Sequence, residues 1–156
     1  MKSLRTCLLA LVLVMTGVAD AGAQNADAGL SAQIETSRAF FDRLNEGDIQ
    51  GWLATMATDV VTHEPVGTPP NIGHDGVIAW AMRNQEMGFQ SVAVEVHDIH
   101  TVPGETAVDW TTHFVLPNGD DVALDGVDIH RFDDDGTIVE VRAYFDPTPL
   151  LRLMEQ

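Results

Sequence analysis

Cysteine and lysine are nearly missing from this chain of 156 residues: Cys7 and Lys2 are the only examples of each. Both fall within residues 1–23, which read as a secretory leader. Lys2 and Arg5 form its charged start, Leu8 to Val14 its apolar run, and Ala21-Gly22-Ala23 a small-residue cleavage site. The product expected after cleavage begins near Gln24. It has no lysine for a Schiff base and no thiol for a nucleophile, a disulfide or a zinc–thiolate centre. Positive charge is scarce too: 8 Lys and Arg stand against 24 Asp and Glu, a net charge of −16. Losing Lys2, Arg5 and Asp20 with the leader makes the balance more acidic still. Such a surface repels phosphate backbones, which argues against nucleic acid as a partner and leaves solubility as the plain account of the charge. The apolar run is shorter than the ~20 residues of a spanning helix, and no later stretch approaches that length. A soluble periplasmic or secreted protein, free of the membrane after cleavage, is expected. A G-x-S-x-G elbow, a phosphate loop and a dinucleotide fingerprint are also missing, so no cofactor is expected.

The length suits one domain. Residues 24–30, small and polar, read as a flexible arm, 31–150 as the domain, and 151–156 as a C-terminal tail. From Ser31 to Glu46 the apolar residues Ile34, Phe40, Phe41 and Leu44 recur at helical spacing, and Gly47 is the expected stop. Asp48 then caps a second helix that turns Ile49, Trp52, Leu53 and Met56 inward. The segment VVTHEPV favours a strand, GTPPNIG a loop, and a third helix runs from Asp75 as N-cap to Met87, with Gly88 as its stop. Beyond Gly88 the period becomes alternating. Strands are expected at 91–102, 105–116, 121–133 and 137–146, joined as antiparallel hairpins at Pro103-Gly104, Asn118-Gly119 and Asp135-Gly136. Helices followed by a meander indicate an α+β fold.

Three stretches resemble ketosteroid isomerase and, more widely, the nuclear transport factor 2-like and SnoaL-like proteins. They are GDIQGWLATMATDVVTHEPVGTPPNIG (47–73), ALDGVDIHRFDDDGTI (123–138) and VRAYF (141–145). The resemblance implies a cone-shaped, curved, mainly antiparallel sheet wrapped around a pocket, with three N-terminal helices, and a homodimer. It implies proton transfer on a small hydrophobic or cyclic molecule. Glu64 stands where the family's proton-abstracting Asp precedes a proline, one methylene longer than that residue. Asp128 matches the protonated acid that donates to the oxyanion. Phe40 takes the place of the oxyanion tyrosine, and Met56 and Ala81 replace two supporting tyrosines, so that hydroxyl network is missing. Trp80 and Phe145 match positions near the pocket.

Strand alternation places Glu64 and His63 on opposite faces. It groups Asp128, His130 and Phe132 against Val127, Ile129 and Arg131, and Asp109, Thr111 and His113 against Trp110 and Thr112. The resemblance makes the Asp128 face and the Asp109–His113 face the pocket lining. Thr111, His113 and His130 are then substrate-binding candidates, with either histidine a substitute for the lost hydroxyl donor. Alternation alone gives the opposite reading, a wet aspartate face and a Val/Ile core, and the two histidines as a surface pair. A metal held by His113, His130 and Glu64 has suitable ligands without a spacing motif, so no metal is expected. The function expected is a cofactor-independent isomerase or lyase; cyclase, dehydratase or hydrolase chemistry is the near variant. The alternative is a non-catalytic ligand-binding or interaction module.

Overall fold

The computed structural model describes residues 16–154; residues 1–15 of the expected leader and 155–156 of the expected tail lie outside that range. The first helix, α1 (Thr16–Glu46), buries Gln33, Ser37, Phe40 and Phe41 on one side, with Leu30, Ile34 and Leu44 half-buried beside them. That stripe follows the helical repeat. Gly47, at φ 69°, ends it. Asp48 then caps α2 (Ile49–Leu53) by accepting the Gly51 N–H at 2.9 Å. Helix α1 continues through 24–30, where a flexible arm was expected. Ala19, Ala21, Ala23, Ala26 and Ala28 explain this, because alanine extends a helix readily once packing has nucleated it. Met56 belongs to the strand β1 (Met56–His63) and not to α2, and Ile49 is exposed.

After β1 come β2 (Asn71–Ile72), inside the expected loop, and α3 (Gly73–Gln85), which starts two residues before the expected cap. The strands β3 (Ser91–Val102), β4 (Glu105–Val115), β5 (Asp121–Phe132) and β6 (Ile138–Phe145) agree with the expected spans to within a residue at each end. A last helix, α4 (Thr148–Met154), buries Leu150 against Leu116, Val122 and Leu124. The six strands form one sheet in the order β2-β1-β6-β5-β4-β3. The pair β1–β6 is parallel and the others are antiparallel.

The α+β class holds, but the cone does not. The sheet is open, with β2 and β3 as its unjoined edges, and α1 and α2 alone precede it among the described residues, since α3 is inserted between β2 and β3. Strand β2 has only Asn71 and Ile72 to offer, too few backbone groups to pair along a twelve-residue β3. The space between helices and sheet is also filled. Helix α1 lies over β3 and β4, α3 lies over β1, and Phe40, Trp52, Met56, Val60, Val108 and Ile138 pack together between them.

The hairpin joining β4 and β5 fixes which residues face this core. Its pairing is centred on Asn118 and sets Val108 opposite Asp128 and Trp110 opposite Gly126. Even-numbered residues of both strands therefore share one face. That face is the buried one, carrying Thr106, Val108, Trp110 and Thr112 on β4 and Asp128, His130 and Phe132 on β5. Asp109, Thr111 and His113 point to the other side, so the expectation that the Asp109–His113 face joins Asp128 in one pocket is overturned.

Candidate active site

The site grows from the parallel pairing of β1 with β6. Thr62 lies opposite Val141 and His63 opposite Arg142, and Glu64 follows directly after the end of β1. The Val66 N–H donates to the Ala143 carbonyl at 2.8 Å and keeps the chain there beyond the cis Glu64–Pro65 peptide. Ala143 in turn pairs with Asp128. Thr62, Val141 and Ala143 are all buried. Ala143 and Asp128 are thus paired on the inner face, and Glu64, just past the end of β1, lies near enough to feel the charge of Asp128.

Glu64 is half-buried. Burial pushes its pKa well above the usual carboxylate range, and the negative charge of Asp128 pushes it further the same way. The charge of Asp128 thus reaches Glu64, but Asp128 is buried in the core and is not the pocket-facing acid that the resemblance implied.

Asp128 is 3% exposed, and its seat is built from both sides. The Trp110 indole Nε1–H donates to Oδ1 at 2.9 Å, and His130 Nε2 stands 3.8 Å from Oδ2. Trp110 reaches it by lying over Gly126, its cross-strand partner. A Cβ on that glycine would fall 2.5 Å from Cη2 of the indole and 2.9 Å from Cε2, so only glycine fits. His130 is fully buried, between Phe40 (ring centroids 4.9 Å apart) and Phe41 (5.8 Å). Its Nδ1 lies 3.0 Å from Ser37 Oγ, which lies 2.7 Å from Thr106 Oγ1. A buried polar chain therefore runs Thr106, Ser37, His130, Asp128, Trp110 through an otherwise apolar core. His130 Nε2 makes no hydrogen bond.

On its other side Glu64 borders a groove of about 580 Å³ between the β1–β2 connection and α3. The helix contributes Gly76, Ala79, Trp80 and Arg83, spaced i, i+3, i+4 and i+7 along one side. Facing them are Pro69, Pro70, Asn71 and Ile72. Gly76 allows α3 to come close, since a Cβ there would meet the Asn71 backbone at 3.2 Å. Arg83 Nη2 donates to the Asn71 side-chain oxygen at 3.1 Å across the edge of the groove.

Of the residues singled out from sequence, Glu64 and Trp80 line this groove. Asp128 and His130 belong to the buried chain behind Glu64, and Phe145 packs edge-on against Trp110 at 5.7 Å. Phe40 and Met56 are 4% and 3% exposed and fill the core, so neither is open to a ligand. Thr111 and His113 are on the far face. Thr111 bonds there with Asp125 and His97, each at 2.7 Å, and His113 stands 3.6 Å from Asp121. The two candidate histidines are on opposite faces, which removes both their pairing and the metal set that included them. Sequence reasoning missed Trp110 as the donor to Asp128, and Asn71 and Arg83 as groove wall. The parity about Asn118 and the helical spacing of Arg83 from Trp80 were the available signals.

The scaffold is α+β, a six-stranded sheet with helices packed on its inner face. The chain belongs to the SnoaL-like domain family, whose model matches residues 37–141. Among solved structures it is similar to the Δ5-3-ketosteroid isomerase from Mycobacterium sp. at 25% identity, with a TM-score of 0.64 over 75% of this chain and 95% of that one. It shares the fold of an NTF2-like protein of unknown function from Burkholderia pseudomallei (24% identity, TM-score 0.72, 80% and 98% covered). It also shares that of TerC co-crystallised with polyporic acid (21%, 0.73, 80% and 99%). The resemblance read from 47–73 and 123–138 is borne out at the level of the superfamily.

Proposed function

We propose that this protein is a cofactor-independent enzyme of the isomerase or lyase type, moving a proton on a small hydrophobic carbonyl or cyclic metabolite held between β2 and α3. Glu64 carries the reading. Glu64 lines an open groove, and burial and the charge of Asp128 raise its proton affinity, the direction that makes a carboxylate an effective proton shuttle. Asp128 does not line the groove; it acts on Glu64 by its charge, held in place by the Trp110 indole. Trp80 and Ile72 supply apolar wall for the body of the substrate. The family and the likeness to a ketosteroid isomerase support the same chemistry.

The test is exchange of α-protons into D₂O, followed by ¹H NMR, over a panel of cyclic ketones and β,γ-enones. At least one should exchange faster with the protein, and Glu64→Gln should lose about 10²–10⁴ of that rate. Equal exchange by the variant removes Glu64 from the chemistry. A second reading, a ligand-binding module without catalysis, is favoured by one observation: Phe40 and Met56 fill the space where hydroxyl donors would stand. Tight binding of panel members with no Glu64-dependent exchange would support it.

A further inference from the structure

We propose that the ligand of the groove is an amphipathic organic anion, an apolar ring or chain carrying a carboxylate or similar acidic group, and that Arg83 is the residue that selects it. The inference rests on the groove being the substrate site. Three observations carry it. First, the wall is divided: Pro69, Pro70, Ile72 and Trp80 offer apolar surface, and Ile72 is 66% exposed. An apolar body fits there. Second, Arg83 is the cation in that wall.

Third, the guanidinium is committed to no acid. Arg43, Arg131 and Arg142 each stand within 4 Å of a carboxylate, whereas among the described residues no carboxylate comes that close to Arg83. Its contact is the neutral amide oxygen of Asn71, on the β2 side of the groove. A cation in the last turn of a helix can serve simply to offset the helix dipole. This one bridges to the opposite wall, where Asn71 fixes one edge of the guanidinium and leaves its remaining N–H groups for a second acceptor. The planar fork of donors suits a carboxylate above other acceptors. In a chain of net charge −16 the long-range field opposes anions, so discrimination in their favour must come from a local cation.

A pair of dyes tests this directly. 8-Anilinonaphthalene-1-sulfonate and N-phenyl-1-naphthylamine share one ring system and differ by the sulfonate, and both fluoresce on entering apolar sites. The full chain should bind the sulfonate more tightly than the neutral dye, and added salt should weaken the sulfonate alone. Arg83→Gln should weaken the sulfonate about tenfold, the scale of one charge-assisted hydrogen bond. It should leave the neutral dye unchanged, which also shows that the variant is folded. Ala79→Trp, which fills the groove from α3, should abolish both. If Arg83→Gln leaves the sulfonate unaffected, or weakens both dyes equally, the anion assignment is wrong even where Ala79→Trp abolishes binding. If both dyes persist in Ala79→Trp, the groove is not the binding site and the functional reading falls with the inference.

Discussion

Replacing Gly126 with alanine should unseat Asp128 without touching it. The new Cβ would lie 2.5 Å from Trp110 Cη2, and the neighbouring ring atoms leave no side to retreat to. The indole must shift, and it is 6% exposed, packed against Phe145 and bonded to Asp128 at 2.9 Å. Overpacking of this kind costs about 1–3 kcal/mol. Losing a hydrogen bond to a buried carboxylate adds about 1.5–3 kcal/mol. A total of about 2.5–6 kcal/mol corresponds to roughly 5–24 °C in Tm for a protein of this size. Urea unfolding followed by near-ultraviolet circular dichroism measures the cost and reports the tryptophan environment in the same experiment. Trp110→Phe supplies the control: the smaller ring has already surrendered the bond to Asp128 and leaves space for the methyl group. Gly126→Ala should therefore cost much less in that background. A loss below about 0.5 kcal/mol in the wild-type background, or an equal loss in both, would refute the claim that Trp110 occupies the place of the missing side chain.

Glu64→Gln should stabilise the protein in a pH-dependent way. The folded pKa of Glu64 is raised, so between the ordinary value of about 4.3 and the folded value the native state holds a proton that the unfolded chain has released. The native state therefore loses stability as pH rises through that window, and the whole penalty is present above it. The gain from Gln should be small near pH 4 and largest at pH 8; a gain independent of pH would contradict the assignment. Ser37→Ala removes the fully buried hydroxyl that joins His130 Nδ1 to Thr106 Oγ1. It should cost about 1–3 kcal/mol by denaturation, and a neutral effect would mean that the polar chain is not holding His130.

The meander was legible because each of its turns carries its own signal. Gly104, Gly119 and Gly136 all adopt positive φ, and such glycines, following Pro103, Asn118 and Asp135, bound each strand to within a residue. The influence of Asp128 on Glu64 was legible only through the family pattern, since the acids are far apart in sequence. The orientation of β4 was misjudged although the information was present. Pairing centred on Asn118 forces Trp110, and not Thr111 or His113, onto the face of Asp128. Thr111 and His113 have the more site-like chemistry, but register decides the face. The groove could not be foreseen from local pattern, because β2 is two residues long and the close approach of α3 depends on Gly76 and the Asn71 backbone. Nor does alternation reveal that bulky residues at 40 and 56 fill the interior, leaving the open space at the sheet edge instead.

The titration of the Glu64 carboxyl carbon, read by NMR from protein labelled with ¹³C at glutamate Cδ, tests the central claim most directly. Glu64→Gln identifies the signal. Burial together with the charge of Asp128 should place its midpoint well above the ordinary glutamate range. Asp128→Asn, which keeps an acceptor for the Trp110 indole and removes the charge, should bring it part of the way down, because burial is the larger cause. A Glu64 that titrates with the other glutamates, or one whose midpoint ignores Asp128→Asn, would contradict the account.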